Sequence, residues 1–483
     1  MGRTYGLMPV GVAGLVNVLR ANGIPVRGLN YPLERQLDKN FDLKKWLAAR
    51  RGVRIILIDL HWYEHSYGAI NIAQLCKQEM PWAWIVLGGL TASGFSREIL
   101  ERFPEIDFII RGDAETPLLE LVRRLLKTGS RSEALAKLKD IPNLSYRGEA
   151  GIADNMQLYT ASPEDLDALN FVDIDFMEHY QEYYVDEYVV KDIDQALDAL
   201  KTKPFWGRWL TSARGCRYHC SYCGGGKDSH KMLAGRMGLV TRSPQKLADD
   251  MVKLSKAGVI QASMSYDIAE MGEDYWREFF SLLRNSGAKI SIYNEFFQNP
   301  EPAFIDDFAR SVEMNHSSVV LSPLSGNERV RRLNGKHYSN VALFDTLEYL
   351  SRYNIYLLVY FSLNLPGETN ETFQETLNLA RDVYDFYPTE YLRILNTVHT
   401  IDPFSPMNLF PDKFGIESSM KSFMDFYNYC RDTQYSSPKA RSELNRGYKL
   451  KDINARTLES MANAWDEMGA GKEPVWFPVP ASW

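Results

Sequence analysis

The chain has 483 residues, 45% of them apolar and 24% charged, with a net charge of −7. This length exceeds one core and predicts two to four domains, while the acidic balance excludes the basic footprint of a general nucleic-acid binder. Five cysteines, an odd number, exclude a disulfide framework, and no apolar run reaches the ~20 residues of a membrane span. No basic region and cleavage site frame the apolar stretch from Met8 to Leu19, so the expectation is a cytoplasmic protein in a reducing compartment.

Residues 1–130 alternate helix-like and strand-like segments. Pro9 to Asn22 reads as a helix, with Val12, Leu15, Val16 and Leu19 on one face, and Val26 to Leu29 as a short strand. The near-continuous apolar run Val53 to Leu60 predicts a buried strand, followed by a helix from Tyr67 to Glu79. Trp84 to Leu87 is a strand ended by Gly88-Gly89, with a helix running on to Phe103. Asp107 to Ile110 is a strand ended by Gly112, and a helix spans Thr116 to Lys127. Such alternation implies a parallel sheet with helices on both faces and ligands at the carboxyl ends of its strands. Glycine there lets the backbone approach a ligand closely, so Gly88, Gly89 and Gly112 are candidate contacts; ordinary turns are the competing reading of each. His61 and His65 read as polar loop residues at a strand end.

Residues 131–200 form a connector. Its acidic and aromatic stretch from Leu166 to Tyr188, with Asp173, Asp175, Tyr180, Tyr183, Tyr184 and Tyr188, reads as a clamp between domains. Trp206 and Trp209 lead into the next segment, either packing over a cofactor or filling a core. From 201 to 400 strand and helix alternate again: strands at Arg208–Ser212, Gln261–Tyr266, Lys289–Tyr293, Ser318–Ser322, Leu357–Leu363 and Tyr391–Thr397, with helices at Ser243–Ala257, Gly272–Ser286, Pro302–Ser311, Ser339–Tyr353 and Glu371–Tyr387. These units predict a partial (β/α)6 barrel with its site at the carboxyl ends of the strands. Residues 401–483 read as a largely helical region covering the substrate, in which Cys430 is a buried helical thiol.

Cys216, Cys220 and Cys223 follow the first barrel strand with C-x3-C-x2-C spacing, an aromatic Tyr222 before the last cysteine, and Gly224-Gly225-Gly226 after it. Three thiolates hold three irons of a [4Fe–4S] cluster and leave the fourth open. A zinc site built from C-x2-C with His219 or His230 is the competing reading, which the x3 gap and the glycine run fit poorly.

This loop resembles the radical SAM superfamily, where the amino and carboxylate groups of S-adenosylmethionine (SAM) fill the open iron site and cleavage yields a 5′-deoxyadenosyl radical. The order Pro9-Val-Gly11, Gly88-Gly89 and Ile109-Ile-Arg-Gly112-Asp-Ala-Glu115 resembles the cobalamin-binding domain that precedes many such barrels. The resemblance implies an α/β chain: a flavodoxin-like (Rossmann-type) front domain, here lacking its first strand, then the barrel. It differs from cobalamin domains carrying D-x-H-x-x-G, since Glu64 stands where that motif has glycine, so His61 is not taken as a cobalt ligand. The resemblance also implies SAM contacts at the Tyr222 backbone and at Gly224, Gly225 and Gly226. Asp267 would accept from the amine, Glu295 would meet the ribose, and Ser325 would be a polar contact where Leu324 replaces the usual glutamate. Asn364-Leu-Pro-Gly367-Glu368-Thr369 marks the fold, with Thr369 or Asn370 capping a helix. Asp402-Pro-Phe-Ser-Pro-Met407 resembles a segment covering the barrel mouth, and His399 faces either substrate or a turn.

The reading is a [4Fe–4S], SAM and cobalamin enzyme that methylates an unactivated carbon (or phosphorus) of a small or lipid-like molecule, fed by a one-electron donor such as flavodoxin or ferredoxin. Two alternatives stay open: cyclisation or oxidation without net methylation, and a front domain that serves only for docking or substrate binding. No catalytic side chain is assigned.

Overall fold

In the computed structural model, which describes residues 10–148, 150–180, 207–398, 400–433, 447–472 and 475–476, the front sheet is built from β1 (Ile55–Asp59), β2 (Trp84–Gly88) and β3 (Phe108–Ile110), parallel and in that order. Ile56 lies opposite Ile85 and Leu87 opposite Ile109. Apolar runs without alternation suit β2 and β3, covered on both faces, whereas β1, predicted as buried, is the half-buried edge strand with Leu57 exposed. Helices Val10–Ala21 and Glu115–Lys127 cover one face through Leu19, Leu118, Leu121 and Leu125. Helices Ser66–Glu79 and Ser96–Arg102 cover the other through Ile70, Ala73, Ile99 and Leu100.

Three expectations change here. Val26–Leu29 is not a strand of this sheet: Gly28 makes a single parallel bridge to Met177, because the space a side chain would need is filled by Met177 and Phe176. The sheet also continues into the connector, where β4 (Leu144–Gly148) and β5 (Gly151–Asp154) add antiparallel beside β3. The helix after Gly89 is two short ones, Leu90–Gly94 and Ser96–Arg102. A strand before Val10 would lie outside the described residues, as do Gly2–Met8, Trp206 and His399.

The clamp is seen in its described part. Asn17 Nδ2 donates to the carbonyls of Asn170 and Asp173, and Arg20 pairs with Asp175 at 2.7 Å. Arg208 donates to the Phe171 carbonyl, so the segment ties the first helix to the barrel. Tyr183, Tyr184 and Tyr188 lie outside the described residues.

The barrel strands are β6 (Gly207–Leu210), then, past a two-stranded antiparallel ribbon of β7 (Ala213–Gly215) and β8 (Leu239–Thr241), β9 (Gln261–Met264), β10 (Ser291–Phe296), β11 (Ser318–Leu324), β12 (Tyr356–Leu363) and β13 (Leu392–Val398). All six major strands are parallel neighbours in chain order. Side chains alternate as a strand requires. Trp209, Tyr293, Val320, Leu358 and Leu395 meet on one face, while Ile292, Val319, Leu357 and Ile394 pack with the helices on the other. Helix starts follow their caps: proline opens Pro302–Ser311, and a Thr369–Thr372 capping box starts Asn370–Phe386.

Among the described residues beyond 400 the chain is only partly helical. Helix Phe423–Thr433 lies in the chain between the two strands of an antiparallel pair, β14 (Ile416–Ser418) and β15 (Tyr448–Leu450), and helix Ala455–Gly469 follows them. A last strand, β16 (Val475–Trp476), adds to the edge of β13 as the seventh of the barrel sheet.

Candidate cluster and cofactor site

Cys216 follows β7 directly, so the antiparallel ribbon with β8 fixes where the loop begins. The three thiols lie within electrostatic reach of one another, and none is in a disulfide. Burial pushes all three thiols up. Two backbone N–H groups point at the sulfurs, Tyr218 to Cys216 and Gly225 to Cys223, each at 3.4 Å. At Gly335 a Cβ would come 2.8 Å from Cys220 Sγ, so glycine leaves that sulfur its space. Thiols within electrostatic reach of one another, N–H donors to sulfur and a cleared sulfur suit thiolates bound to an iron–sulfur cube. Among the described residues no three His, Cys, Asp or Glu side chains converge on a single metal ion. A cube spreads its ligands over three irons and needs no such convergence.

The loop is fastened from two directions. Ser221 Oγ donates to Asn334 Oδ1, and Asn334 Nδ2 donates to the Val330 and Pro366 carbonyls, which anchors the loop to the helix Glu328–Leu333 after β11 and to the turn after β12. Lys336 Nζ donates to the Phe297 carbonyl at 2.9 Å, and its positive charge favours the Cys220 thiolate. On the other side lies the segment Ile401–Met407. Asp402 Oδ2 accepts from Gly224 N at 2.8 Å, Met407 N donates to the Ser221 carbonyl at 2.9 Å, and Ser229 Oγ donates to the Phe404 carbonyl at 2.8 Å. Burial pushes Asp402 up to about 6.

The residues implied as SAM contacts fall into two groups. Tyr222, Gly224, Gly225 and Gly226 belong to the cluster loop, with Tyr222 packed against Leu324, Val330 and Leu365. Glu295 accepts from the Tyr293 hydroxyl at 2.6 Å and shares its face of β10, toward the barrel interior. Asp267 and Ser325 are instead committed to the fold. The Asp267 carboxylate accepts from Ala269 N, Asn294 Nδ2 and Phe297 N, bracing β9 against β10, and burial pushes it up to about 7. Ser325 is fully buried beside Thr376, and its hydroxyl accepts from Asn327 N. Trp209 sits edge-on to Tyr293, 5.7 Å between ring centroids, as core packing. The Cys430 thiol is buried, donates to the Tyr63 carbonyl at 3.1 Å and is pushed up to about 12, as an inert helical thiol should be.

The front sheet meets this loop with its carboxyl edge. At Gly89 a Cβ would come 2.6 Å from the His61 backbone, and at Gly112 it would come 2.7 Å from the Ala234 Cβ. Both glycines thus admit close chain packing without a side chain, and Gly112 rests on the helix Lys227–Ala234 that follows the cysteines. Gly88 ends β2 one residue before. Asp113 and Glu115, just after β3, bind Arg214 at 3.0 and 2.6 Å; Asp113 also pairs with Arg236. His61 and His230 face the same cationic surroundings, and burial together with nearby positive charge holds each imidazole down at about 4. The ion network escaped the sequence reading, although the acidic pair in Gly112-Asp-Ala-Glu115 and an arginine two residues before Cys216 were its visible signals.

The Radical SAM superfamily description matches residues 210–380. The chain is 24% identical over 311 residues to the tRNA-2-methylthio-N(6)-dimethylallyladenosine synthase of Thermus thermophilus, covering 60% of this chain and 62% of that protein. It is 21% identical over 294 residues to the hopanoid C-3 methylase of Methylococcus capsulatus, covering 60% and 48%. The matches thus span about three fifths and about half of the length of these curated relatives. Among solved structures, the radical S-adenosylmethionine methyltransferase TsrM of Kitasatospora setae, with cobalamin and [4Fe-4S] cluster bound, aligns over 99% of this chain and 89% of its own, with TM-score 0.65 and 15% identity. The cobalamin-dependent S-adenosylmethionine radical enzyme OxsB aligns over 96% of this chain and 64% of its own, with TM-score 0.56 and 14% identity. The match over residues 210–380, with the cysteine loop after the first of six parallel strands, identifies that segment as a radical SAM domain, and the solved structures share the fold of nearly the whole chain.

Proposed function

We propose that the chain is a cobalamin-dependent methyltransferase acting on an unactivated carbon (or phosphorus) of a small or lipid-like molecule, supplied with electrons by a one-electron carrier of the flavodoxin or ferredoxin type. One observation carries this reading: the carboxyl edge of the front sheet, the ligand edge of such sheets, docks on the cysteine loop through Asp113, Glu115 and Arg214. A corrinoid held at Gly88, Gly89 and Gly112 would lie beside the cluster. The likeness in fold to a methyltransferase solved with cobalamin, and the sequence match to a hopanoid methylase, support the same reading.

When bound, the cluster with SAM supplies hydrogen-abstracting radical chemistry, and methylated cobalamin supplies the methyl group. The chain's own residues bind, orient and exclude water. Cys216, Cys220 and Cys223 hold the irons, Gly224–Gly226 let the backbone pass beside the adenine, and Glu295 meets the ribose. Trp209, Tyr293, Val320 and Leu358 close the barrel interior against water.

The test is anaerobic reconstitution with iron, sulfide and hydroxocobalamin, followed by gel filtration. A corrinoid absorption spectrum that travels with the protein, and a product heavier by one methylene unit, are expected. Protein that emerges loaded with iron but free of corrinoid would sink the cobalamin reading, and a product of unchanged composition would sink methyl transfer.

A further inference from the structure

Asp402 is 178 residues from Gly224 in sequence, yet its carboxylate closes on the cluster loop. Its backbone is locked by its own turn: the Asp402 carbonyl accepts from Ser405 N at 3.2 Å and from Ser405 Oγ at 2.8 Å. The flanks are pinned as well. Phe404 fills the space over Gly94 and packs against Phe95 of the front domain at 5.0 Å, while Met407 N holds the Ser221 carbonyl. The carboxylate therefore has a fixed place, with Oδ2 on the N–H of the residue that follows Cys223. Its Cβ would lie only 3.0 Å from a Cβ at position 224, so glycine there admits it. Of the charged groups acting on Cys223, Asp402 exerts the largest electrostatic effect, opposing negative charge on the sulfur.

We propose that Asp402 is a positioning residue for the iron–sulfur cluster, which holds Cys223 in place through Gly224 and whose negative charge lowers the cluster's reduction potential. Charge and hydrogen bonding around the sulfurs are among the levers by which a protein sets such potentials. A lower potential makes the reduced cluster a stronger donor to SAM. The proposal rests on the cluster assignment and on neither cobalamin nor methyl transfer, so it stands or falls separately from the function proposed above.

The test uses the full chain, reconstituted anaerobically with iron and sulfide and titrated with dithionite, with the reduced cluster followed by electron paramagnetic resonance. Asp402→Asn keeps an acceptor for Gly224 N and removes the charge. It should load iron like the parent and raise the reduced-to-oxidised ratio at a fixed poise about tenfold, a shift of ~59 mV for one electron. Asp402→Glu keeps the charge and should hold that ratio within about twofold of the parent, even where its longer side chain lowers loading. Ser405→Ala loosens the same turn without touching the carboxylate and should leave the ratio unchanged. A parental ratio in Asp402→Asn would overturn the proposal. So would an equal shift in Asp402→Glu or in Ser405→Ala, because the effect would then be structural rather than electrostatic.

Discussion

Arg214 donates to Asp113 across the junction between front domain and barrel, at 3.0 Å, two residues before the first cluster cysteine. Glu115 and Arg236 complete a nearly buried group of two cations and two anions. Removing one member strands its partners without water. Asp113→Ala should therefore destabilise the protein by about 3–5 kcal/mol, the range for breaking a buried pair. Denaturant unfolding checks this, and a loss below about 1 kcal/mol would show that water reaches the junction.

Gly94 and Gly11 offer an internal comparison. A Cβ at Gly94 would overlap the Phe404 ring, whereas at Gly11 it meets nothing within 4 Å. Gly94→Ala should cost about 1–3 kcal/mol by overpacking and should lower iron loading, because Phe404 belongs to the segment that holds Gly224. Gly11→Ala should be neutral or stabilising by up to about 1 kcal/mol. Thermal unfolding and iron content distinguish the pair. Phe404→Leu should restore part of what Gly94→Ala loses.

Glu368 is buried, accepts from Asn364 N at 2.8 Å and is pushed up to about 8 by its burial. The folded chain then holds a proton that the unfolded chain releases near its ordinary value of 4.5. Between those values the native state binds more protons, so stability falls as pH rises, by about 1.4 kcal/mol per pH unit from this group. Glu368→Gln keeps an acceptor and cannot ionise. Its melting temperature should gain on the parent from pH 5 to pH 8, and parallel curves would count against a buried acid here.

Alanine at Cys216, Cys220 or Cys223 should abolish iron retention and SAM cleavage, whereas Cys430→Ala should preserve both. Cys430 lies on the helix Phe423–Thr433, with its thiol turned to the Tyr63 carbonyl. Iron analysis after reconstitution decides this, and normal iron content in any of the three loop variants would refute the ligand set.

The barrel was legible because its signals are local. Apolar runs, caps and proline starts each lie within one unit, and Pro302–Ser311 appears with the bounds its pattern predicts. The cysteine spacing is equally local. What sequence hid were partners distant along the chain. Asp267 looks like a strand-end carboxylate facing a ligand, but Asn294, 27 residues on, takes one of its oxygens. Ser325 meets Thr376, 51 residues away. Val26–Leu29 has strand composition, yet Gly28 N donates to the Phe176 carbonyl and the Gly28 carbonyl accepts from Glu178 N, both in the clamp. The hairpin β4–β5 had a readable signal in Gly148-Glu-Ala-Gly151, which the connector reading overlooked.

The pairing of β16 with β13 bears on how the protein is made. Ile394 and Leu395 find their partners at Val475 and Trp476, after the whole C-terminal region. During synthesis the six parallel strands can assemble while that edge still lies bare, its amide and carbonyl groups open to any other extended chain. Nascent chains on one messenger are neighbours for that interval. A chain shortened before Val475 would stay in that condition and should be recovered as aggregates even if its cluster loop is intact.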